Sequence, residues 1–161
     1  MDTLIGIVFG ALGGFAIHAI SMQVNFKQRT IDNKIKVYDQ LVIHWVKMRN
    51  FIMGNSYFTN GRFPAELSHQ FDQMYGESQT FVGEVFLICE DAQLAMDIND
   101  LNERIYRADW QEMDVEARNE RLDQLKADAI PLLDRMREDV RSSTRLTMGD
   151  LWFMFGGRSR N

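Results

Sequence analysis

The chain has little with which to build covalent, metal-bound or strand-based structure. It contains one cysteine, so no disulfide can form within it, and only two prolines in 161 residues. No segment alternates apolar and polar residues as a half-buried strand does, and no glycine-rich phosphate loop follows a strand. Acidic residues outnumber basic ones by 23 to 18, which argues against nucleic acid as a partner. The single cysteine agrees with a reducing compartment.

What the chain does have is a long uncharged stretch close to its start. Residues 3–26 read TLIGIVFGALGGFAIHAISMQVNF and contain no Asp, Glu, Lys or Arg. About 20 helical residues, at 1.5 Å rise each, reach roughly 30 Å, the hydrocarbon thickness of a bilayer. The stretch therefore predicts a transmembrane helix, with 1–26 as the membrane segment. A cleavable signal peptide fits less well, because no basic residue precedes the apolar core.

Two features inside this stretch are candidates for function. Gly6, Gly10 and Gly14 recur every four residues and predict a helix-packing face, against another subunit or a second copy. The alternative is the ordinary glycine content of membrane helices. His18 is the one ionisable group in the stretch, and it indicates plain packing, a polar contact that fixes assembly, or a cofactor ligand. A single imidazole is weak evidence for a cofactor, so none is predicted.

The charges predict an orientation. Four basic residues follow the stretch within ten positions, whereas only Met1 and Asp2 precede it. Positive charge favours the cytoplasmic side, so we expect the N-terminus outside and the large C-terminal domain in the cytoplasm of a bacterial inner membrane. The segment 66–128 is acidic, so the basic patch lies on the membrane side of an acidic body.

The remainder predicts four amphipathic helices. The span continues without Gly or Pro as far as Gly54, and a second helix begins at Pro64 after a loop of strong breakers. Asp91 is a predicted N-cap of a third helix, although the segment equally fits a bend in one long helix. Asp114 is the predicted N-cap of the last helix, which Pro131 should kink. The predicted apolar stripe of the first helix is Ile31, Ile35, Tyr38, Leu41, Val42, Trp45, Met48 and Ile52, and that of the fourth is Val115, Leu122, Leu125, Ala129, Leu132, Met136 and Val140.

The fold class that follows is all-α. A transmembrane helix continues into an antiparallel four-helix bundle at 27–147, since four amphipathic helices with short connections pack most simply in that way. Residues 148–161 form a separate C-terminal tail.

Three short patterns carry a resemblance. They are K-x-x-x-Y-x-x-L at 34–41, the acidic helix start at Glu90 and Asp91, and L-x-x-M-R-x-D at 133–139. Together with the N-terminal span, the chain resembles a loose group of uncharacterised bacterial membrane proteins with one span and a cytoplasmic helical bundle. The resemblance implies this fold and implies no activity.

Other chemistry-bearing residues favour structural roles. An E-x-x-H pattern at 66–69 occurs once, whereas a di-iron bundle needs two copies and further glutamates. Asp97, Asp100 and Glu103 lie on one helix face and indicate a solvated surface. Cys89 follows three apolar residues, so we expect a small buried hydrophobe. No catalytic residue, cofactor or metal is predicted, and we do not expect an enzyme.

The C-terminal tail combines apolar and basic residues. Five consecutive apolar residues at 151–155 are followed by two arginines. Aromatic rings with nearby cations are typical of an interfacial anchor. Binding to membrane lipid, to a partner or to the chain's own bundle stays open. The predicted anchor residues are Trp152, Phe153, Phe155, Arg158 and Arg160.

The function predicted from these features is a structural or accessory subunit of a bacterial membrane-protein assembly. The expected partners are membrane lipid and other membrane subunits, or a second copy bound through the span, and not nucleic acid. The alternatives are a membrane-anchored sensor or regulator in stress or phage defence, which binds a cytoplasmic partner, and a cofactor-binding subunit that uses His18.

Overall fold

The computed structural model describes the backbone of residues 2–56 and 65–144, and the side chains of 21–22, 24–55 and 67–144. This part of the chain consists of four α-helices and contains no strand, which confirms the all-α prediction for it. The helices are α1 (Asp2–Ser56), α2 (Ala65–Ile88), α3 (Ala92–Tyr106) and α4 (Val115–Thr144).

The chain divides into two compact units. The described residues of the first are the beginning of α1, up to Asn33, and the end of α4 from Arg141. In this unit Gln28 donates a hydrogen bond to Asp32 one turn along the helix, and Phe26 is exposed. The second unit, Lys34–Val140, holds the buried core.

Both predicted N-caps are confirmed. The Asp91 carboxylate accepts hydrogen bonds from the backbone N–H groups of Gln93 and Leu94, so two of the free donors at the start of α3 are satisfied. Asp114 accepts from the backbone N–H of Ala117 at 2.8 Å and does the same for α4. The sequence between α3 and α4 is therefore a short turn with a defined end.

The pairs of residues in contact show the directions of the helices in the second unit. His44 packs on Phe81, while Phe51, further along α1, packs on Phe71, earlier in α2. Neighbouring helices α2 and α3, and α3 and α4, show the same reversal, so successive helices run antiparallel in a helical bundle. The pairs are Asp72 with Tyr106 and Gln79 with Glu103 between α2 and α3, and Arg104 with Asp128 and Arg135 with Asp97 between α3 and α4.

The buried core follows the predicted apolar stripes except at a few positions. Ile35 and Val115 were predicted to lie in the stripe but are exposed, whereas Val37 and Trp110 are buried. The reason in α1 is that Lys34 takes the inward position one residue earlier, in phase with the buried positions 38, 41, 45, 48 and 52. Val115 is the first residue of α4, where the helix begins at its cap.

Pro131 lies inside α4, and the helix continues past it to Thr144. The ring is exposed, so its missing N–H leaves no gap in the buried face. The kink predicted at this position stays a prediction.

Within the described side chains, no helix is long and apolar enough to cross a membrane. The side chains of residues 1–20 and of Gln23 lie outside this description. The predicted span at 3–26 consists largely of these residues. The described side chains therefore give the predicted span no support.

Candidate functional site

Most of the residues predicted to act in assembly lie outside the described side chains. Gly6, Gly10 and Gly14 are within the helical backbone of α1, but their surroundings are outside the description. His18 is outside it in the same way. So are all five predicted anchor residues of the tail, Trp152, Phe153, Phe155, Arg158 and Arg160. These assignments therefore lie outside the described residues and stay predictions.

The acidic face of α3 is not simply solvated, which corrects the prediction. Asp97 binds Arg135 of α4, and Glu103 accepts a hydrogen bond from Gln79 of α2 at 2.9 Å. Asp100 is the most exposed of the three, and it lies 3.7 Å from Arg104 on its own helix. In the part of the chain that the structure describes, no group of three His, Cys, Asp or Glu residues is arranged to hold a metal ion.

A buried polar cluster lies among α1, α4 and the segment before α3; it comprises Lys34, Tyr38, Cys89 and Asp139. Asp139 Oδ2 accepts a hydrogen bond from the Tyr38 hydroxyl at 2.8 Å and lies 2.9 Å from Lys34 Nζ. Lys34 is only 1% exposed. Its contact with Asp139 is an ion pair outside hydrogen-bond geometry, so the ammonium has no hydrogen-bond acceptor among the described residues.

Burial controls the chemistry of this polar cluster. It raises the pKa of the Tyr38 hydroxyl, and the hydrogen bonds with Cys89 and Asp139 act in the same direction. Burial also raises the pKa of the Cys89 thiol, whose S–H group donates to the carbonyl of Asp91 at 3.2 Å. A protonated thiol is a poor nucleophile, and the described contacts of the cluster join α1 to α4. Cys89 packs against the core but is only half-buried and makes a polar contact, which differs from the predicted buried hydrophobe.

His44 is a second buried polar group of α1. Its Nδ1 lies 2.8 Å from the Gln40 carbonyl oxygen and its Nε2 lies 3.1 Å from Glu77 Oε2. Both partners are acceptors, so a neutral imidazole can satisfy only one of them, whereas an imidazolium donates to both. The hydrogen bond from His44 lowers the pKa of Glu77. This contact joins α1 to α2.

A third polar contact crosses the centre of the bundle. The Trp45 indole N–H donates to Asn102 Oδ1 at 3.0 Å, and Asn102 is completely buried. The Asn102 amide nitrogen has no hydrogen-bond partner among the described residues. The Trp45 bond is therefore the contact that fixes this amide, and it sets the position of α1 against α3.

These polar residues were missed by sequence reasoning, although a signal for them exists. Lys34 continues the stripe 38, 41, 45, 48 and 52 by four residues, and Asp139 continues 125, 132 and 136. Lys34 was instead counted in the basic patch beside the span. A charged residue in phase with an apolar stripe indicates a buried partner, because a lone buried charge is too costly to keep.

The surface between α1 and α4 contains an apolar groove, lined by parts of both helices. It has a volume of about 250 Å³. Val46 of α1 and Ile130 of α4 line the groove, and their side chains are 48% and 54% exposed. The groove therefore presents apolar surface to solvent. Arg49 and Lys126 are its two charged residues. The other lining residues are Val42, Trp45, Ile105, Leu122, Leu125, Ala129 and Leu133.

The groove was not predicted, because the stripes show which residues face inwards and not which flank of a helix stays uncovered. Val46 and Ile130 stand beside the predicted stripes of their helices. An apolar residue next to a stripe widens the apolar face, and this is the signal that sequence reasoning had available.

Comparison of the chain with protein-family models, with curated proteins and with solved structures found no match.

Proposed function

We propose that the chain is a structural or accessory subunit of a bacterial membrane-protein assembly, held in the inner membrane by one N-terminal span. Its helical bundle is the cytoplasmic part that contacts a partner protein. The proposal combines the uncharged stretch 3–26 with the described bundle and its surface. The single observation that carries it is the open apolar groove between α1 and α4.

The groove supports a binding role because its apolar surface is concentrated in one place. Scattered exposed apolar side chains are normal on a protein surface, but Val46 and Ile130 line the same depression. Covering such a surface is favourable by about 25 cal/mol for each Å² of apolar area removed from water. A partner gains this free energy without any change in the core beneath the groove.

The polar contacts between the helices support a scaffold role. Lys34 with Asp139, His44 with Glu77, and Trp45 with Asn102 join α1 to each of the other three helices. A buried polar group costs free energy unless it is paired, so each of these contacts favours the helix arrangement that keeps its pair together. Such a bundle presents a groove of fixed shape, which lowers the cost of ordering it when a partner binds.

The span contributes the location and a second association surface. The face formed by Gly6, Gly10 and Gly14 allows close approach of a neighbouring membrane helix. The tail residues 151–155 and their arginines add contact with lipid headgroups or with the partner. His18 requires no cofactor in this proposal.

The experiment is native purification of the full-length chain in mild detergent, followed by identification of the proteins that remain bound. We expect a defined membrane protein in constant ratio, and we expect Gly10→Ile to reduce the ratio because the added side chain separates the two backbones. Leu4→Ile is the control, since it changes side-chain shape outside the glycine face. A full-length chain that elutes alone and as a monomer contradicts the proposal.

A further inference from the structure

The charges of the apolar groove favour one chemistry for a molecule that would bind there. Arg49 and Lys126 both line it, and neither has a carboxylate within ion-pair distance among the described residues. Several other arginines of the bundle are paired, including Arg104 with Asp128 and Arg135 with Asp91. The chain is acidic overall, with a formal net charge of −5. Two cations at this apolar groove are therefore placed to meet carboxylates of another molecule.

The shape of the groove indicates a helix as the occupant. Its walls are two long antiparallel helices, and an amphipathic helix laid along such walls inserts side chains spaced at i, i+3 or i+4, and i+7. The volume of about 250 Å³ exceeds the roughly 150 Å³ of an apolar cavity that holds a benzene molecule. It is sufficient for one or two large apolar side chains.

A second copy of the chain fits the groove less well. In a two-fold contact the same surface meets itself, so Arg49 and Lys126 of both copies would gather at one interface. The four like charges would repel one another, and the groove lining supplies no carboxylate to compensate them.

We propose that the groove between α1 and α4 binds an amphipathic helix of a partner protein, whose large apolar side chains fill the groove and whose flanking Asp and Glu residues meet Arg49 and Lys126. This rests on the proposed function, in which the bundle contacts a partner. It adds the site of contact and the chemistry of the segment that binds there.

The test uses photo-crosslinking in cells with the full-length chain. A benzophenone amino acid replaces Val46 or Ile130 in the groove, and Leu87, which is 85% exposed on α2, is the control position. We expect crosslinks from both groove positions to one partner and not from Leu87. Mass spectrometry of the crosslinked peptide should show apolar residues at helical spacing flanked by Asp or Glu.

Charge reversal tests the electrostatic part. We expect Arg49→Glu together with Lys126→Glu to reduce the crosslinked yield roughly tenfold, since two attractive contacts become repulsive. Lys47→Glu is the matched control, because Lys47 is an exposed cation on α1 that does not line the groove. Changing the identified flanking carboxylates of the partner to Lys should restore the yield with the reversed variant. Circular dichroism of each variant checks that the bundle is folded.

The other outcomes separate this inference from the proposed function. Crosslinks from the groove to a second copy of the chain, or to a segment without flanking acids, overturn the inference. Crosslinks to a partner from Leu87 but not from the groove overturn it while leaving the proposed function intact. If neither position gives a crosslink and no protein purifies with the chain, both fail.

Discussion

Removal of the Asp139 carboxylate should destabilise the bundle more than removal of any exposed acid. Asp139 is the only described partner within 3 Å of Lys34 Nζ, and it also accepts the Tyr38 hydroxyl at 2.8 Å. Breaking a buried ion pair by removing one side costs about 3–5 kcal/mol. The Lys34 ammonium would then keep only the exposed Glu90 carboxylate, 3.9 Å away, as a charge partner. We expect Asp139→Ala to lie near the upper end of this range, since Tyr38 loses its acceptor as well.

The assay is urea unfolding of the purified full-length chain in mild detergent, followed by circular dichroism at the helical band. Asp123→Ala is the matched control: Asp123 is an exposed acid of the same helix, and its removal should change the free energy of unfolding by less than about 0.5 kcal/mol. The double variant Lys34→Met with Asp139→Leu replaces both charges by apolar groups. It should lie within about 1–2 kcal/mol of the unmodified chain, because no buried charge is left unpaired and only the Tyr38 hydroxyl loses its acceptor.

Two results refute this reasoning. If Asp139→Ala costs less than about 1 kcal/mol, the pair is not buried as described, because the cost of an exposed pair is of that size. If the double variant is as unstable as the sum of its two single variants, the loss does not come from the pairing of Lys34 with Asp139.

Three further changes test separate contacts. Trp45→Phe should cost about 1–3 kcal/mol in the free energy of urea unfolding, because the buried amide of Asn102 loses its donor; an unchanged value contradicts this role. Asp91→Ala should lower the free energy of unfolding by about 0.5–2 kcal/mol, measured in the same way, because α3 loses its N-cap. Asp91→Asn is the control, since asparagine also caps helices and should keep most of this free energy. Arg135 lowers the pKa of both Asp91 and Asp97, so their ion pairs add stability above the ordinary carboxyl pKa near 4 and lose it as the pH falls through the lowered values. The difference in free energy of unfolding between Arg135→Gln and the unmodified chain should therefore be largest at pH 6 and shrink towards pH 2 in acid titration. A difference that does not vary with pH contradicts this role of the ion pairs.

The parts of the fold that sequence predicted are those set by local interactions. The 3–4 spacing of apolar residues gave the helices, and the carboxylates of Asp91 and Asp114 marked where α3 and α4 begin, because a cap needs only the next three residues. The antiparallel order follows from short connections, such as the turn between Tyr106 and Val115.

The buried polar contacts needed tertiary information. Lys34 and Asp139 are more than a hundred positions apart, and each alone resembles a solvated charge. Only their position on an apolar stripe distinguishes them. Asn102 likewise stands beside Leu101 in an amphipathic helix, and its burial depends on Trp45 of another helix. The groove depends on which flanks of α1 and α4 remain uncovered, and the helical periodicity of one segment does not contain that information.

The membrane location is tested most directly by fractionation of cells that produce the full-length chain with a reporter fused after Asn161. The account predicts that the chain stays in the membrane fraction after extraction with alkaline carbonate. It also predicts that a reporter which works only in the cytoplasm is active. A chain that begins at Lys27 should be extracted by carbonate. Release of the full-length chain by carbonate, or activity of a reporter that works only in the periplasm, would contradict a cytoplasmic bundle anchored by residues 3–26.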